Sequence, residues 1–213
     1  MSTPLTHRLP VVAALAVALL APAVYGDDWG DDWPQWLGPT RDGVWHEEGV
    51  VETIPAAGLP VVWRVPVKGG YSGPAVVGGR VYLTDYEQTG GELANNPNGR
   101  NELTGRERVL CFDAADGRLL WKHEYDCPYS LSYAYGPRCT PTVDAGCVYT
   151  LGAEGNLLCL DAETGTVLWE KDFKRDYAAP TPIWGFCGHP LVDGDQLICL
   201  VGGEGTVAVS FDK

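Results

Sequence analysis

The chain has 213 residues, of which 45% are hydrophobic, and a formal net charge of −13 at pH 7. This composition is that of a folded protein with an apolar core. An acidic surface repels phosphate backbones, so the charge argues against a nucleic-acid partner.

Residues 1–26 have the pattern of a cleaved secretory signal. A basic stretch with His7 and Arg8 precedes an apolar run from Val11 to Ala21, which is shorter than the roughly 20 residues that a bilayer core needs. Small residues suit a cleavage site after Gly26. We therefore expect an exported protein, periplasmic or secreted, with no membrane span after signal removal. An uncleaved membrane anchor is the alternative.

Two segments, residues 27–60 and 61–67, lie between the predicted signal and the repeated part of the chain. Residues 27–60 are predicted to form an irregular head, in which acidic pairs such as Glu47 and Glu48 are solvated. Residues 61–67, VVWRVPV, are predicted to be a strand that contains Trp63. This strand precedes the repeated part of the chain.

The rest of the sequence repeats one unit. Pro74, Pro141 and Pro190 each precede a short apolar run and a glycine-containing turn, and a second apolar run has begun seven residues after each proline. The phrase DAADGRLLW at 113–121 returns 48 residues later as DAETGTVLW at 161–169. Apolar runs of this length between glycine turns are typical of hairpin strands. Each complete unit therefore has four antiparallel strands, named a to d.

The repeated phrase also predicts local contacts. Its aspartate accepts hydrogen bonds from the following amides, and its glycine takes the left-handed conformation that closes the turn. Its final tryptophan offers a large flat surface to wedge between neighbouring units. The residues predicted to hold these turns and to pack the units together are Asp113, Gly117, Trp121, Asp161, Gly165 and Trp169, together with Trp63.

A four-stranded repeat of about 50 residues is typical of a β-propeller blade, because one such sheet must stack on its neighbours. The predicted fold is all-β, a partial ring of about three blades at residues 72–122, 139–170 and 188–213, the third only begun. Residues 61–67 would be a strand d that closes a last blade. Bare sheet edges invite pairing, so we expect the missing blades from the same longer chain or from a partner chain.

The phrases LCFDAADGRLLW and LCLDAETGTVLW resemble the repeat of the PQQ-like (pyrroloquinoline-quinone-type) β-propeller family. The segment DDWPQWLGPTRDGVW at 31–45 resembles the opening of its exported bacterial members. The family includes quinoprotein alcohol dehydrogenases and the lipoprotein that helps assemble outer-membrane barrels. For an enzyme, the resemblance implies pyrroloquinoline quinone and calcium in the central channel. This chain lacks the adjacent cysteine pair and the recognisable catalytic aspartate of the dehydrogenases.

The long connections fall on one face of the predicted ring. Residues 85–108 join strands b and c of blade one, and residues 123–138 and 172–188 join strand d to the next strand a. Long loops carry function more often than the scaffold does. The candidate ligand-binding residues on this face are Tyr71, Arg138, Trp184 and His189. A planar ligand would stack on Trp184 and be gripped by Arg138; alternatively, these side chains pack the loops together.

Metal binding and disulfides are weakly indicated. The chain has seven cysteines, and Cys111 and Cys159 fall inside apolar strands, where cysteine serves as a small hydrophobe. Cys127 and Cys139 are candidates for a disulfide. No paired CxxC spacing supports a metal site with His123, and residues 95–101 are predicted to be a plain turn-rich loop rather than a calcium loop. No metal site is predicted.

Two functions remain open. The sequence has no phosphate-binding glycine loop, no GxSxG and no HExxH. The first hypothesis is therefore a non-catalytic exported propeller that presents its loop-rich face to an unknown protein or small ligand. The alternative is a PQQ-dependent oxidoreductase, of which this chain would be the N-terminal part.

Overall fold

A computed structural model describes residues 32–49, 51–94 and 97–213. These residues form twelve strands and one short helix, arranged in three antiparallel sheets that follow one another along the chain. The predicted all-β fold, a propeller of which a partial ring is present, is confirmed. The predicted signal at residues 1–26 lies outside the described residues.

Sheet 1 has the strand order β1-β2-β3-β4, with a short fifth strand against β3. Its strands are β1 Ala75–Val77, β2 Arg80–Gly90, β3 Asn101–Asp113, β4 Leu119–Asp126 and β5 Tyr129–Leu131. The first four correspond to strands a to d, and β5 pairs with the beginning of β3.

Sheets 2 and 3 repeat this up-and-down order. Sheet 2 contains β6 Thr142–Asp144, β7 Cys147–Leu151, β8 Asn156–Asp161 and β9 Val167–Asp172, and it is followed by helix α1 Phe173–Tyr177. Sheet 3 contains β10 Leu191–Asp193, β11 Gln196–Gly203 and β12 Thr206–Asp212. Among the described strands, β12 pairs only with β11, so its outer edge has no described neighbour.

Two of the buried clusters lie between the sheets, and a third lies around β5 of sheet 1. Side chains of one face of sheet 2 pack on sheet 1, and those of the other face pack on sheet 3, because successive residues of a strand point to opposite faces. The first interface contains Tyr82, Val109, Cys111, Val148, Leu158 and Leu160. The second contains Tyr149, Leu157, Cys159, Leu197, Cys199 and Phe211.

The repeated tryptophans lie on the turn of the next sheet. The Trp121 indole N–H donates to the Ala162 carbonyl at 3.0 Å, and a Cβ on Gly165 would lie 2.5 Å from the Trp121 ring. Trp63 makes the same contact one unit earlier, since its N–H donates to the Ala114 carbonyl at 2.7 Å. The Trp169 ring lies 6.2 Å from Phe211 in sheet 3.

The turn itself is held by its aspartate and glycine. The Asp161 Oδ1 accepts hydrogen bonds from the backbone N–H of Glu163 at 3.1 Å and of Thr164 at 2.8 Å. Gly165 has φ +72°, a conformation that side chains disfavour. The turn after Asp113 has the same form, with a 2.9 Å bond from the Ala115 N–H.

Residues 61–67, predicted to be a strand that closes a last blade, pair with no described strand. Their role as a closing strand therefore stays a prediction. One predicted connection differs in the structure. The connection 85–108 is mostly paired strand, since the β2–β3 ladder continues from Asp85 opposite Arg108 to Gly90 opposite Thr104. Only residues 91–100 connect the two strands.

The seven cysteines are all free thiols. The suggested Cys127–Cys139 disulfide is absent, because the Cys127 thiol faces Asn156 and the Cys139 thiol faces the Phe186 carbonyl. In the described part of the chain, no helix is both long and apolar enough to cross a membrane.

Candidate functional site

The connections between strands b and c and between strands d and a contact one another. The Arg100 guanidinium donates to the Thr181 carbonyl at 2.9 Å. The Ser132 N–H donates to the Ile183 carbonyl at 2.7 Å, and the Tyr71 N–H donates to the Pro137 carbonyl at 2.8 Å. These contacts join residues 68–74, 91–94, 97–100, 127–140 and 173–190 into one surface, which we call the loop face.

A cleft on the loop face is lined by tyrosines. Its lining residues are Tyr71, Leu93, Ala94, Tyr133 and Tyr135, and its volume is about 540 Å³. The rings of Tyr71 and Tyr135 are 6.4 Å apart and inclined at 62°, so they meet as two walls of a corner. The three tyrosines are 53%, 39% and 56% exposed. We call this feature the tyrosine cleft.

Close backbone contact positions two of these rings. A Cβ on Gly69 would collide with the Tyr135 carbonyl, and a Cβ on Gly136 would collide with the Gly69 carbonyl. Only glycine permits this approach of the segment before β1 to the segment before β6. As a result, the rings of Tyr71 and Tyr135 lie near each other although they belong to connections that precede different sheets.

Arg138 holds the third ring in place. Its guanidinium donates to the carbonyls of Ser132 at 3.0 Å and Tyr133 at 2.8 Å, and also to the Gly136 carbonyl. Its Cζ lies 5.3 Å from the centroid of the Tyr71 ring. The structure thus brings Tyr71 and Arg138 together, with most of the guanidinium bound to the loop 132–136.

His189 lies under the head rather than in the tyrosine cleft. Its Nδ1 accepts a hydrogen bond from the Thr140 N–H at 3.0 Å, and its ring stacks on Trp36 at 4.6 Å. Burial, and secondarily the charge of Arg41, hold the pKa of His189 below its ordinary value. The imidazole is therefore neutral at pH 7 and serves as a hydrogen-bond acceptor.

The head contacts strand a of sheets 1 and 2 and the residue that precedes strand a of sheet 3. Trp33 pairs with Val76 of β1 through two backbone hydrogen bonds of 2.8 and 2.9 Å. The Pro34 carbonyl accepts from the Val143 N–H of β6 at 2.8 Å, and Arg41 donates to the Pro190 carbonyl at 3.4 Å. The head, predicted to be irregular, thus ties the three sheets together.

Trp184 lies apart from the tyrosine cleft. It is 56% exposed and occupies a turn in which the Gly185 N–H donates to the Pro182 carbonyl at 2.9 Å. Trp184 and His189 are not among the residues that line the cleft. Leu93 and Ala94 line the cleft but were not predicted, because their side chains carry no chemical signal. Tyr133 and Tyr135 were not predicted either, although two tyrosines at this spacing in a loop are a signal that the sequence offers.

A buried carboxylate lies between sheets 1 and 2. Glu107 accepts hydrogen bonds from the Tyr129 hydroxyl at 2.6 Å, from the Ala153 N–H at 2.8 Å and from the Tyr125 hydroxyl. Burial raises the pKa of Glu107, and these three donors oppose the rise. Because Glu107 is only 2% exposed, this cluster connects blades rather than meeting a ligand.

The loop 95–101 shows no metal-binding arrangement in its described residues. Asn95 and Asn96 lie outside the described residues, and the Asn101 Oδ1 accepts a hydrogen bond from the Ala94 N–H at 2.6 Å. Within residues 32–49, 51–94 and 97–213, no group of three or more His, Cys, Asp or Glu side chains is placed to hold a metal ion.

Comparison with models of known protein families shows to which family the chain belongs. A family model described as outer membrane protein assembly factor BamB matches residues 105–213, just over half of the chain. The chain belongs to this family of PQQ-like β-propellers. The match includes both repeated phrases and all of sheets 2 and 3, so the resemblance seen in the sequence is confirmed. No curated protein matches the chain.

Solved structures give weaker likenesses. A quinohemoprotein alcohol dehydrogenase from Comamonas testosteroni is 20% identical over 85% of this chain and 25% of its own, with a TM-score of 0.49. One from Pseudomonas putida HK5 is 23% identical over 72% of this chain and 21% of its own, with a TM-score of 0.44. BamB from Moraxella catarrhalis is 14% identical over 68% of this chain and 59% of its own, with a TM-score of 0.26. The chain thus spans about a quarter or less of the two dehydrogenases' length.

Proposed function

We propose that this protein is an exported, non-catalytic β-propeller scaffold whose loop face binds a protein or a small ligand. The observation that carries the proposal is the tyrosine cleft, an open concave site with an aromatic lining on the loop face. Concave sites with aromatic linings are the usual form of ligand sites. The predicted residues Tyr71 and Arg138 belong to this site, as a wall and as its support.

The reactive groups of the described residues support a non-catalytic function. His189 is an acceptor beneath Trp36, Glu107 is enclosed by hydrogen bonds, and Arg138 is bound to carbonyls. A general acid or base must reach a substrate proton within hydrogen-bond distance. None of these three groups opens into the tyrosine cleft.

Capture experiments with the loop face altered test this function. The whole protein is used as bait in the envelope or secreted fraction of its own cell, beside a Tyr71→Ala/Tyr135→Ala variant and a Trp45→Ala control. Trp45 is as exposed as the tyrosines, at 57%, but does not line the cleft. We expect a specific partner that the double variant loses and the control keeps. Turnover of an alcohol or sugar without any specific partner would contradict the proposal.

Export is part of the proposal and rests on the pattern of residues 1–26. Charge, a short apolar run and small residues together are what a secretory signal requires. N-terminal sequencing of the mature protein checks it: we expect the first residue to be Asp27. A cytoplasmic protein that keeps Met1 would contradict export.

The alternative, a PQQ-dependent oxidoreductase, is favoured by the repeated phrases that resemble the quinoprotein family. The described residues do not by themselves fit the quinone and its calcium ion. No set of carboxylates is grouped to hold calcium, and Arg138 already donates to three carbonyls. Binding would therefore need residues from further blades. Appearance of quinone absorbance bound to the protein after reconstitution with the cofactor and calcium would favour this alternative.

Further blades are also proposed on structural grounds. Sheets 1 and 2 each have a strand d, whereas the described strands leave the outer edge of β12 unpaired. An unpaired edge is a template for another strand. We propose that a further strand, from the same longer chain or from a partner, covers this edge. The intact mass of the native protein distinguishes the two sources. We expect a mass well above 23 kDa for a longer chain, and a mass below 23 kDa, that of this chain without residues 1–26, for a partner.

A further inference from the structure

The tyrosine cleft has the shape of a corner built from aromatic rings. Tyr71 and Tyr135 form the two inclined walls, and Tyr133 and Leu93 complete the lining. Its volume of about 540 Å³ lies within the usual range for small-ligand pockets, roughly 300–1,000 Å³. A ligand that enters the corner therefore contacts aromatic rings on two sides.

The polarity of the cleft favours a neutral ligand. No charged side chain is among its lining residues. The chain as a whole carries a net charge of −13, which disfavours an anion. A cation is disfavoured locally, because the Arg138 guanidinium lies 5.3 Å from the Tyr71 ring centroid.

The hydroxyl groups of the lining are available to a ligand. The hydroxyls of Tyr71, Tyr133 and Tyr135 form no hydrogen bond with another of the described residues, and all three rings are partly exposed. Tyrosine combines an apolar ring face with a hydroxyl that both donates and accepts. The cleft thus offers apolar faces and neutral hydrogen-bonding groups together.

The backbone under one ring is strained. Tyr133 has φ +49°, which costs a residue with a side chain on the order of 1–2 kcal/mol. Such outliers persist when the surroundings hold them, and they concentrate at ligand sites. Two carbonyl contacts to Arg138, from Ser132 and Tyr133, hold this turn so that the ring lines the cleft.

We propose that the tyrosine cleft binds a neutral saccharide. The apolar C–H face of a pyranose ring would stack on Tyr71 or Tyr135, and the sugar hydroxyls would exchange hydrogen bonds with the tyrosine hydroxyls. A saccharide is neutral and has both an apolar face and many hydroxyls, as the cleft requires. This inference rests on the proposed binding function of the loop face and names the ligand class for its cleft.

Calorimetric titration of the whole protein with three neutral hexasaccharides tests the proposal. The probes are maltohexaose, cellohexaose and chitohexaose, and a proline decapeptide serves as a non-sugar competitor for an aromatic cleft. We expect at least one hexasaccharide to bind. Its affinity should fall about 3- to 10-fold in Tyr135→Ala, the loss of one stacking ring, and remain unchanged in Trp45→Ala.

A second variant separates binding from folding. Tyr135→Phe keeps the ring and removes only the hydroxyl, so it preserves the packing against Tyr71, and we expect an intermediate loss of affinity. Saturation-transfer NMR on the unaltered protein should show the sugar protons in contact with tyrosine rings.

Three results would overturn the proposal. They are no hexasaccharide binding at millimolar concentration, binding that Tyr71→Ala and Tyr135→Ala leave unchanged, or binding of the proline peptide in place of the sugars. Each of these results leaves the capture experiment on the loop face to succeed or fail independently. Failure of the saccharide proposal is therefore distinguishable from failure of the proposed function.

Discussion

Glu107 illustrates how one residue couples the packing of two blades to pH. Its carboxylate belongs to β3 of sheet 1 and accepts a hydrogen bond from Ala153 of sheet 2. Burial is the largest influence on its pKa, which lies above the ordinary value of 4.5. The folded state therefore holds this proton more tightly than the unfolded state does.

This difference predicts a pH dependence of stability. Between pH 4.5 and the raised pKa, the folded state binds more protons, so the free energy of unfolding falls as pH rises. Glu107→Gln should remove this fall, because an amide does not titrate in the range. Urea unfolding at a series of pH values measures the free energy of unfolding of the unaltered protein and of this variant. Glu48→Gln, at an exposed position, serves as the control. A Glu107→Gln profile parallel to that of the unaltered protein would refute the assignment.

Substitution of Gly165, with Gly146 as a matched control, measures how tightly the Trp121 ring packs on the turn of the next sheet. Both have positive φ, +72° and +80°, but a Cβ on Gly165 would meet the Trp121 ring whereas one on Gly146 meets nothing within 4 Å. Gly146→Ala should cost about 1–2 kcal/mol from the backbone alone. Gly165→Ala should cost a further 1–3 kcal/mol from overpacking. Equal losses in chemical denaturation would show that the contact contributes nothing.

At the scale of elements, the β2–β3 ribbon is longer than its hydrophobic pattern predicts. In residues 101–107, the inward positions are Asn101, Leu103, Gly105 and Glu107. Three of these four are not apolar, so alternation of apolar and polar residues did not reveal the strand. The side chains are buried because β5 and the b–c turn of sheet 2 cover them, which is a property of the assembled fold.

An ion pair fixes the middle of this ribbon. The Arg108 Nε donates to the Asp85 Oδ1 at 2.7 Å, and the Asp85 carboxylate is 1% exposed. Arg108→Ala should destabilise the protein by about 3–5 kcal/mol, because it leaves a buried charge without its partner.

The matched control is Arg106→Ala on the same strand. Arg106 pairs with Glu87 and Glu124, and its side chain is 39% exposed, so its removal should cost about 0–1 kcal/mol. Thermal unfolding measures the loss of stability in the two variants, Arg108→Ala and Arg106→Ala. A similar shift in both would mean that burial does not distinguish the pairs.

At the scale of the whole molecule, sheets 2 and 3 share one buried cluster. Leu157 of β8 is fully buried between sheets 2 and 3, and Leu168 of β9 is 54% exposed. Leu157→Ala should destabilise by about 2–5 kcal/mol, whereas Leu168→Ala should change stability by about 0.5 kcal/mol or less.

Hydrogen exchange tests the sharing of this core. Because Leu157 and Leu197 belong to the same buried cluster, truncation of Leu157 should lower amide protection in sheets 2 and 3 together. Loss of protection confined to sheet 2 would show that the sheets are stable independently.

The sequence by itself determined the all-β fold, the four-stranded unit and the turns at Asp113 and Asp161, because these depend on local periodicity and on the conformational freedom of glycine. It also identified Tyr71 and Arg138 as members of a candidate site. Only the tertiary structure decided that Tyr133 and Tyr135 join them, while Trp184 and His189 lie elsewhere. That grouping depends on the close approach of Gly69 to Gly136, a contact between distant segments for which local sequence carries no signal.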